Sequence, residues 1–292
     1  MFYLICSILV FTLIFVVFKL YDRFNVDILQ AIVANYIVAF ITSMIAYKYQ
    51  VGFKDLSVSK IVEMDWFYYT FGLGVLFIVV FIFIAKTTQI NGLSVASVAT
   101  KMSVIIPIIF GLVYYKEQLG IAKFLGILFA LLAVYLVSVT SKGGLKLNKK
   151  DLILPLLVLV GSGIIDSAIK FLEEAYVAEN NISIFSATIF LSAAILGVLI
   201  ILYNLFKGEV KFEFKNILGG IALGIPNYFS IFFLVKALRS GVLDSSGIFA
   251  VNNVSIVTLS TLVGILFFGE KLLPKNWLGI ALAIVSILLI AL

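Results

Sequence analysis

Long apolar segments, each about as long as a bilayer is thick, follow one another along almost the whole chain. A membrane-spanning helix needs about 20 mostly apolar residues. Hydrophobic types make up 63% of the 292 residues and charged types only 12%, whereas about a quarter of a typical soluble domain is charged. The composition excludes a soluble globular enzyme, a disordered protein and a fibrous repeat, and it predicts an all-α membrane protein.

Ten such segments predict ten transmembrane helices joined by short loops. They cover approximately residues 1–20, 28–47, 66–85, 92–115, 121–139, 151–171, 182–206, 216–236, 245–268 and 276–292. An even number of crossings places both termini on the same side of the membrane. Since no loop is long enough to fold as a soluble domain, we expect the activity to lie within or across the bilayer.

The chain contains an internal repeat. The segment GLVYYKEQLGIAKFLGILFALLAVYLVS aligns without a gap with the later segment GILFFGEKLLPKNWLGIALAIVSILLIA. The alignment places Glu117 on Glu270 and Gly126 on Gly279.

The repeat predicts two domains of five helices, residues 1–140 and 151–292, joined by a polar linker at 141–150. Because five is odd, the second half must enter the membrane with the opposite orientation to the first. Inverted repeats of this kind are an architecture of secondary transporters, which bind substrate near the midplane between the halves. The alternative is a simple gene duplication in a membrane protein that transports nothing.

The glutamates in YYKEQ and FFGEK, each followed by a W/F-x-G-I run, resemble the two EamA repeats of the drug/metabolite transporter superfamily. The resemblance covers nearly the whole chain. It implies a central cavity lined mainly by spans 1, 3, 4, 6, 8 and 9, transport of small metabolites or drugs, and cytoplasmic termini. Many relatives carry an arginine in the second span, where this chain has Asn35.

Lys101, inside the fourth span, is the first candidate for substrate binding. An ionisable side chain within a span is costly and is therefore a functional hypothesis. Lys101 lies about 13 Å along the helix from Gly92, and Ser94 and Ser97 share its face. This polar stripe predicts a wetted surface. The alternative is a lysine that snorkels to the near interface.

Asp166, late in the sixth span, is the second candidate, with Lys170 four residues later. The functional interpretation is a carboxylate that takes up a coupling proton or binds a substrate amine. The alternative is a helix-surface ion pair near the membrane edge. We also predict that Asp166 and Lys101 pair across the two halves until substrate intervenes.

The eighth span contains GIPNYFSIFF, and its proline interrupts the backbone hydrogen bonds. Discontinuous helices at the midplane point to transporter sites. The sequence therefore predicts a discontinuous helix at Pro226 and a polar pocket of Asn227, Tyr228 and Ser230. A packing kink without ligand contact is the alternative.

The ninth span carries two adjacent asparagines, Asn252 and Asn253. Because they point about 100° apart on a helix, we expect one to face the cavity and the other a neighbouring helix. The alternative is hydrogen bonding between helices for both. We expect Glu117 and Glu270 to have a structural role, each favouring the N-terminal dipole of the next helix.

The absence of histidine and the single Cys6 restrict the chemistry. Histidine catalysis, the usual zinc sites and an internal disulfide are excluded, and we expect no metal and no cofactor. The net charge of +6 belongs to loops, and no basic segment interleaved with aromatic residues predicts nucleic-acid binding. The expected partners are a small-molecule substrate and the lipid bilayer. The sequence leaves proton coupling and a homodimer open.

The charges of the loops disagree with the orientation that the resemblance implies. With a cytoplasmic N-terminus the inside loops hold seven basic residues and the outside loops twelve, so the positive-inside rule favours the opposite orientation. We retain cytoplasmic termini in the plasma (inner) membrane as the expectation.

The favoured function is a secondary transporter, an exporter of a small metabolite, an amino-acid-like compound or a drug. No nucleotide-binding P-loop pattern is present, so ATP is not the direct driver. The alternative is a passive channel or a non-transporting membrane sensor. A membrane-embedded enzyme is least favoured, because the missing histidine removes Ser–His pairs.

Overall fold

The computed structural model describes residues 1–50, 52, 57–114, 120–137, 149–177, 181–208, 211–238, 240 and 245–291. Within these ranges all regular secondary structure is helical. The helices are α1 (Phe2–Arg23), α2 (Ile28–Gln50), α3 (Val58–Val62), α4 (Tyr69–Ile90), α5 (Leu93–Met102), α6 (Ile105–Tyr114), α7 (Ile121–Val137), α8 (Lys149–Tyr176), α9 (Ile182–Phe206), α10 (Phe214–Leu238), α11 (Ser245–Phe268) and α12 (Pro274–Ala291).

The helices confirm an all-α membrane protein with about ten spans. Eight segments of the described chain are long and apolar enough to cross a bilayer, with α5 and most of α6 counted as one segment. The shorter apolar helices α7 and α12 have 17 and 18 residues. Each extends about 26 Å, close to the ~30 Å hydrocarbon core. The chain is therefore an integral multi-pass membrane protein.

Backbone contacts divide the chain into two compact units. Unit 1 comprises Met1–Asp22, Phe83–Ile164 and Phe229–Leu292, and unit 2 comprises Arg23–Ile82 and Ile165–Tyr228. Each unit contains segments from both halves of the sequence repeat. The helices α4, α8 and α10 contribute residues to both units.

One apolar core cluster of unit 1 is formed by α5, α6, α7, α8, α11 and α12, and a second by α1, α10 and α11. The crossing of α7 and α12 is close because a glycine of each helix faces the other. A Cβ atom at Gly279 would lie 2.9 Å from the Cβ of Leu136, and one at Gly126 would lie 2.7 Å from Cγ1 of Ile290. The Ser286 hydroxyl donates a hydrogen bond of 2.7 Å to the Gly126 carbonyl across the same crossing.

In unit 2, α2 packs against α9 and against the first part of α10. Gly197 of α9 and Gly220 of α10 leave room for side chains of α2. A buried polar network joins the ends of α2 and α10. The Asn216 amide donates to Gln30 Oε1 over 2.9 Å, and the Gln30 amide donates to the Lys211 carbonyl over 3.0 Å. These bonds satisfy amides that would otherwise be buried without partners.

Three helix pairs within the units join matching positions of the sequence repeat. α2 packs against α9, α5 against α11, and α7 against α12. In order along the chain these helices are the second and seventh, the fourth and ninth, and the fifth and tenth predicted spans. Each pair therefore brings together one span from each half.

One prediction about helix continuity is wrong. α10 continues through Pro226 without interruption, because a proline removes one N–H and membrane helices tolerate that loss. The discontinuity lies instead in the fourth span, where α5 ends at Met102 and α6 begins at Ile105.

The predicted linker 141–150 lies outside the described residues except at its end. Lys149 and Lys150 already belong to α8, so this helix begins two residues earlier than the sequence predicts. The short helix α3, in the loop after α2, was not predicted.

Candidate functional site

The helix that carries Lys101 begins at a conformation suited to glycine. Gly92 has φ of 104°, in the left-handed region that residues with a Cβ rarely adopt. Ser94 and Ser97 are buried, and the Ser97 hydroxyl donates to the Ser94 carbonyl over 3.1 Å. Lys101 lies half-buried in the last turn of α5, where a cation is favoured by the helix dipole.

The ammonium group of Lys101 lies over an aromatic ring of α1. Its Nζ is 3.5 Å from the centroid of the Phe11 ring. A cation above the face of an aromatic ring is attracted by the ring quadrupole. The contact partly offsets the cost of holding a charge in the middle of the apolar segment Leu93–Phe110.

The break after α5 is caused by a nearby proline, and a glycine of α8 packs against it. Pro107 has no N–H to donate to the carbonyl of Ser103, and that carbonyl accepts from the N–H of Ile106 over 2.9 Å instead. Gly163 of α8 packs against this point, since a Cβ there would lie 2.8 Å from the Ser103 oxygen. Lys101 therefore stands beside an irregular backbone in the middle of a span.

Unit 1 also contains three further residues of the predicted site. Asn252 is 1% exposed, and its Oδ1 has no hydrogen-bond partner in the described part of the chain. Asn253 is half-buried on the adjacent face of α11. The carbonyl of Ser230 accepts a hydrogen bond of 3.3 Å from the Ser7 hydroxyl, which ties α10 to α1.

Unit 2 holds the remaining predicted site residues. The Asn227 amide donates to Asn35 Oδ1 over 3.1 Å, and both side chains are buried. This bond joins α10 to α2 within the unit. Tyr228 is half-buried and Asp166 is exposed. The Lys170 backbone belongs to α8, and its side chain lies outside the described residues.

Glu270 has a different role from the one the sequence predicts. Its carboxylate does not serve the next helix, α12, but accepts from the Leu93 N–H over 2.6 Å and from the Ser94 hydroxyl over 3.1 Å at the start of α5. Local sequence could not reveal this contact, because Leu93 and Glu270 are 177 positions apart. The matching Glu117 lies outside the described residues.

Metal-ligating residue types are not gathered anywhere in the described ranges. No group of three or more histidine, cysteine, aspartate or glutamate side chains there could hold a metal ion. Cys6 is a free thiol on α1. Among the predicted site residues, unit 1 contains the ammonium group of Lys101, the side-chain amides of Asn252 and Asn253, and the hydroxyls of Ser97 and Ser230.

Comparisons with known proteins identify a family and show similar chains. Residues 1–139 match the EamA-like transporter family. The chain is 30% identical over 288 residues to an uncharacterized protein of Haemophilus influenzae (strain ATCC 51907 / DSM 11121 / KW20 / Rd), across 98% of this chain and 94% of the relative. A solved crystal structure of a protein 16% identical aligns with a TM-score of 0.57, over 97% of this chain and 95% of that one. At that identity the likeness concerns the fold alone.

Proposed function

Since the chain belongs to the EamA-like transporter family, we propose that it is a secondary transporter that works by alternating access. The cargo is a small metabolite, an amino-acid-like compound or a drug, and the direction is export. The observation that carries this proposal is the half-buried Lys101 in the middle of a span, beside the break between α5 and α6. Irregular backbone within a span is found where it is buried in protein or lines a water-filled cavity.

The ammonium group of Lys101 is suited to an anionic part of the substrate. Carboxylates form charge-assisted hydrogen bonds with lysine, and these are about twice as strong as neutral ones. The hydroxyls and amides of the same unit suit neutral polar atoms. Asp166, in unit 2, is the proposed proton-coupling carboxylate or amine-binding group.

The architecture that we propose for transport is an inverted repeat of residues 1–140 and 151–292. Its support is the pairing of α2 with α9, α5 with α11, and α7 with α12. Helices at matching positions of two halves related by a two-fold axis pack against each other when they lie near that axis. The family match ends at residue 139, next to the end of the proposed first half.

For the location we propose the plasma (inner) membrane with cytoplasmic termini, as the family resemblance implies. Loop charges favour the opposite orientation, with twelve basic residues against seven. Reporters fused to each terminus, one active in the cytoplasm and one active outside it, decide between the two. The homodimer that the sequence leaves open is tested by the mass of the purified protein in detergent.

A transport assay with purified protein tests the proposal. A thermal-shift screen against the 20 L-amino acids and a panel of metabolites, at two pH values, identifies a ligand. Proteoliposomes loaded with that ligand are then diluted into a trace of its labelled form. A carrier gives saturable counterflow, whereas a channel gives flux without counterflow and a sensor gives neither. Lys101→Met should abolish counterflow, and Lys86→Met, at an exposed lysine of α4, should preserve it.

A further inference from the structure

The turn between α4 and α5, in unit 1, is held by opposite charges on its two sides. It connects the carbonyl end of one helix to the amide end of the next, and both ends carry backbone groups without partners in their own helix. The carbonyl end carries a partial negative charge and the amide end a partial positive charge. A cation at the first and an anion at the second are therefore the complementary arrangement.

Lys19 of α1 supplies the cation. Its Nζ donates to the carbonyl of Thr88 over 3.2 Å and to the carbonyl of Gln89 over 3.2 Å. Both carbonyls belong to the last turn of α4. The N–H groups of Asn91 and Gly92 both donate to the Thr87 carbonyl, which closes this helix end.

Glu270, which follows α11, supplies the anion. Its Oε1 accepts from the Leu93 N–H over 2.6 Å, and its Oε2 accepts from the Ser94 hydroxyl over 3.1 Å and the Ser94 N–H over 3.5 Å. The N-cap residue of α5 is Gly92, which has no side chain with which to cap the helix. The carboxylate from the second half of the sequence thus takes the place of an N-cap side chain.

The position of Glu270 is itself fixed by its neighbours. Gly269 has φ of 64°, which ends α11, and the Glu270 N–H then donates to the Gly264 carbonyl over 3.0 Å. A Cβ at Gly92 would lie 2.6 Å from Oε1, and one at Gly264 would lie 2.5 Å from Oε2. The carboxylate fits because both flanking positions are glycine.

From this geometry we infer that Glu270 is a positioning residue for transport: by capping α5 it sets the position of the Lys101 ammonium. α5 has ten residues, so its two ends are about 15 Å apart. The break after Met102 separates α5 from α6. The contact of Glu270 with the start of α5 therefore holds this short helix alone and not a longer continuous one. The inference rests on the proposed function, because it gives Lys101 the role of binding substrate.

The test of the positioning role needs no substrate. In a Cys6→Ser background, Lys101→Cys places a thiol at the end of α5. Its rate of modification by 2-aminoethyl methanethiosulfonate, in proteoliposomes, reports how exposed that position is. Weakening of an N-cap favours displacement of a helix from its native position by about fivefold, and α5 is displaced as a unit because the break after Met102 separates it from α6. Glu270→Gln should therefore raise the labelling rate by about fivefold. Glu213→Gln, at an exposed glutamate paired with Lys215, should leave it unchanged.

A compensating variant separates the carboxylate from a general loss of packing. Ser94→Asp places a carboxylate in the first turn of α5, where it faces Glu270 and should raise the labelling rate by itself. In the double variant with Glu270→Gln, the new aspartate restores one negative charge at the start of α5, and the glutamine amide can donate a hydrogen bond to it. The labelling rate should therefore return to within about twofold of the parent rate. If the labelling rate of the double variant is raised by the product of the two single-variant increases, the positioning role is rejected.

Counterflow adds a readout of function, with a mixture of ¹⁴C-labelled L-amino acids as the probe and Lys101 intact. Glu270→Gln should slow counterflow, and the double variant should restore it. Should Glu270→Gln fail to yield monodisperse protein in detergent, Ser94→Ala removes a single hydrogen bond and should shift labelling in the same direction. An unchanged labelling rate in a folded variant overturns the inference. Absence of counterflow in the parent protein, with labelling shifted and rescued, counts against amino acids as cargo and supports the positioning role.

Discussion

The ammonium nitrogen of Lys101 lies 3.5 Å from the centre of the Phe11 ring, so a charge in the middle of α5–α6 rests on an aromatic face of α1. The ring quadrupole attracts the ammonium group and partly offsets the cost of holding a charge within the span. The contact therefore helps to fix the position of the Lys101 ammonium group, to which we assign substrate binding.

Replacing Lys101 by methionine should weaken ligand binding while keeping the fold. The methionine retains the apolar stem and removes the charge, so the loss should be ~10-fold or more in affinity. The ligand-induced rise in Tm measures it, with Lys86→Met as the matched control. Lys101→Arg should keep part of the binding. Equal ligand stabilisation in Lys101→Met and the parent would contradict a role for the ammonium.

Replacing Phe11 by leucine should weaken binding through Lys101. The apolar volume is largely kept but the cation–π contact is lost, which should lower affinity by about fivefold. Phe11→Tyr keeps the ring and should bind like the parent. Titration of the ligand by isothermal calorimetry measures both variants. If the leucine and tyrosine variants behave alike, the ring face does not matter for Lys101.

Replacing Asp166 by asparagine should remove the pH dependence of transport. If Asp166 carries the coupling proton, the parent should respond to an imposed pH gradient and Asp166→Asn should not, since an amide cannot titrate. Counterflow with and without the gradient measures this, and Asp65→Asn, at an exposed aspartate before α4, is the control. If Asp166→Asn still responds to the pH gradient, a group other than Asp166 carries the coupling proton.

A single methyl group at Gly279 should destabilise the protein. The added Cβ would lie 2.9 Å from the Val137 nitrogen and 2.9 Å from the Leu136 Cβ, and overpacking of this kind costs about 1–3 kcal/mol. Gly120→Ala adds the same methyl group where nothing lies within 4 Å and should cost less than about 0.5 kcal/mol. Thermal unfolding in detergent, followed by intrinsic fluorescence, compares the two. Equal Tm values would show that α7 and α12 separate without cost.

The positions of the spans could be predicted from the sequence because they depend on local composition. A segment of about 20 apolar residues has no better state in lipid than a helix. The helix ends differ from the prediction by a few residues where the polar flank continues the helix, as at Lys149 and Lys150.

The interruption of the fourth span could not be predicted, because two prolines with the same local property have different outcomes. Pro226 lies inside a continuous helix, whereas Pro107 follows a break. The difference involves tertiary packing, since Gly163 allows α8 to approach the carbonyl of Ser103. That approach depends on residues about 60 positions away in the sequence.

The residue types of the candidate site could be predicted from the sequence, but the side chains that they contact could not. A lysine in an apolar span is visible in the sequence, but its contact with Phe11 is not. Asn227 was singled out for its polarity, and the structure shows its amide bonded to Asn35. Pairing of side chains from distant segments depends on how the helices pack, which the apolar pattern alone does not specify.

The close crossing of α7 and α12 restricts which substitutions the two helices can accept. Gly126 and Gly279 align in the internal repeat of the sequence, and each makes room for the facing helix. A bulkier residue at either position therefore needs a compensating change on the other helix. Each position is constrained by residues about 150 positions away in the chain.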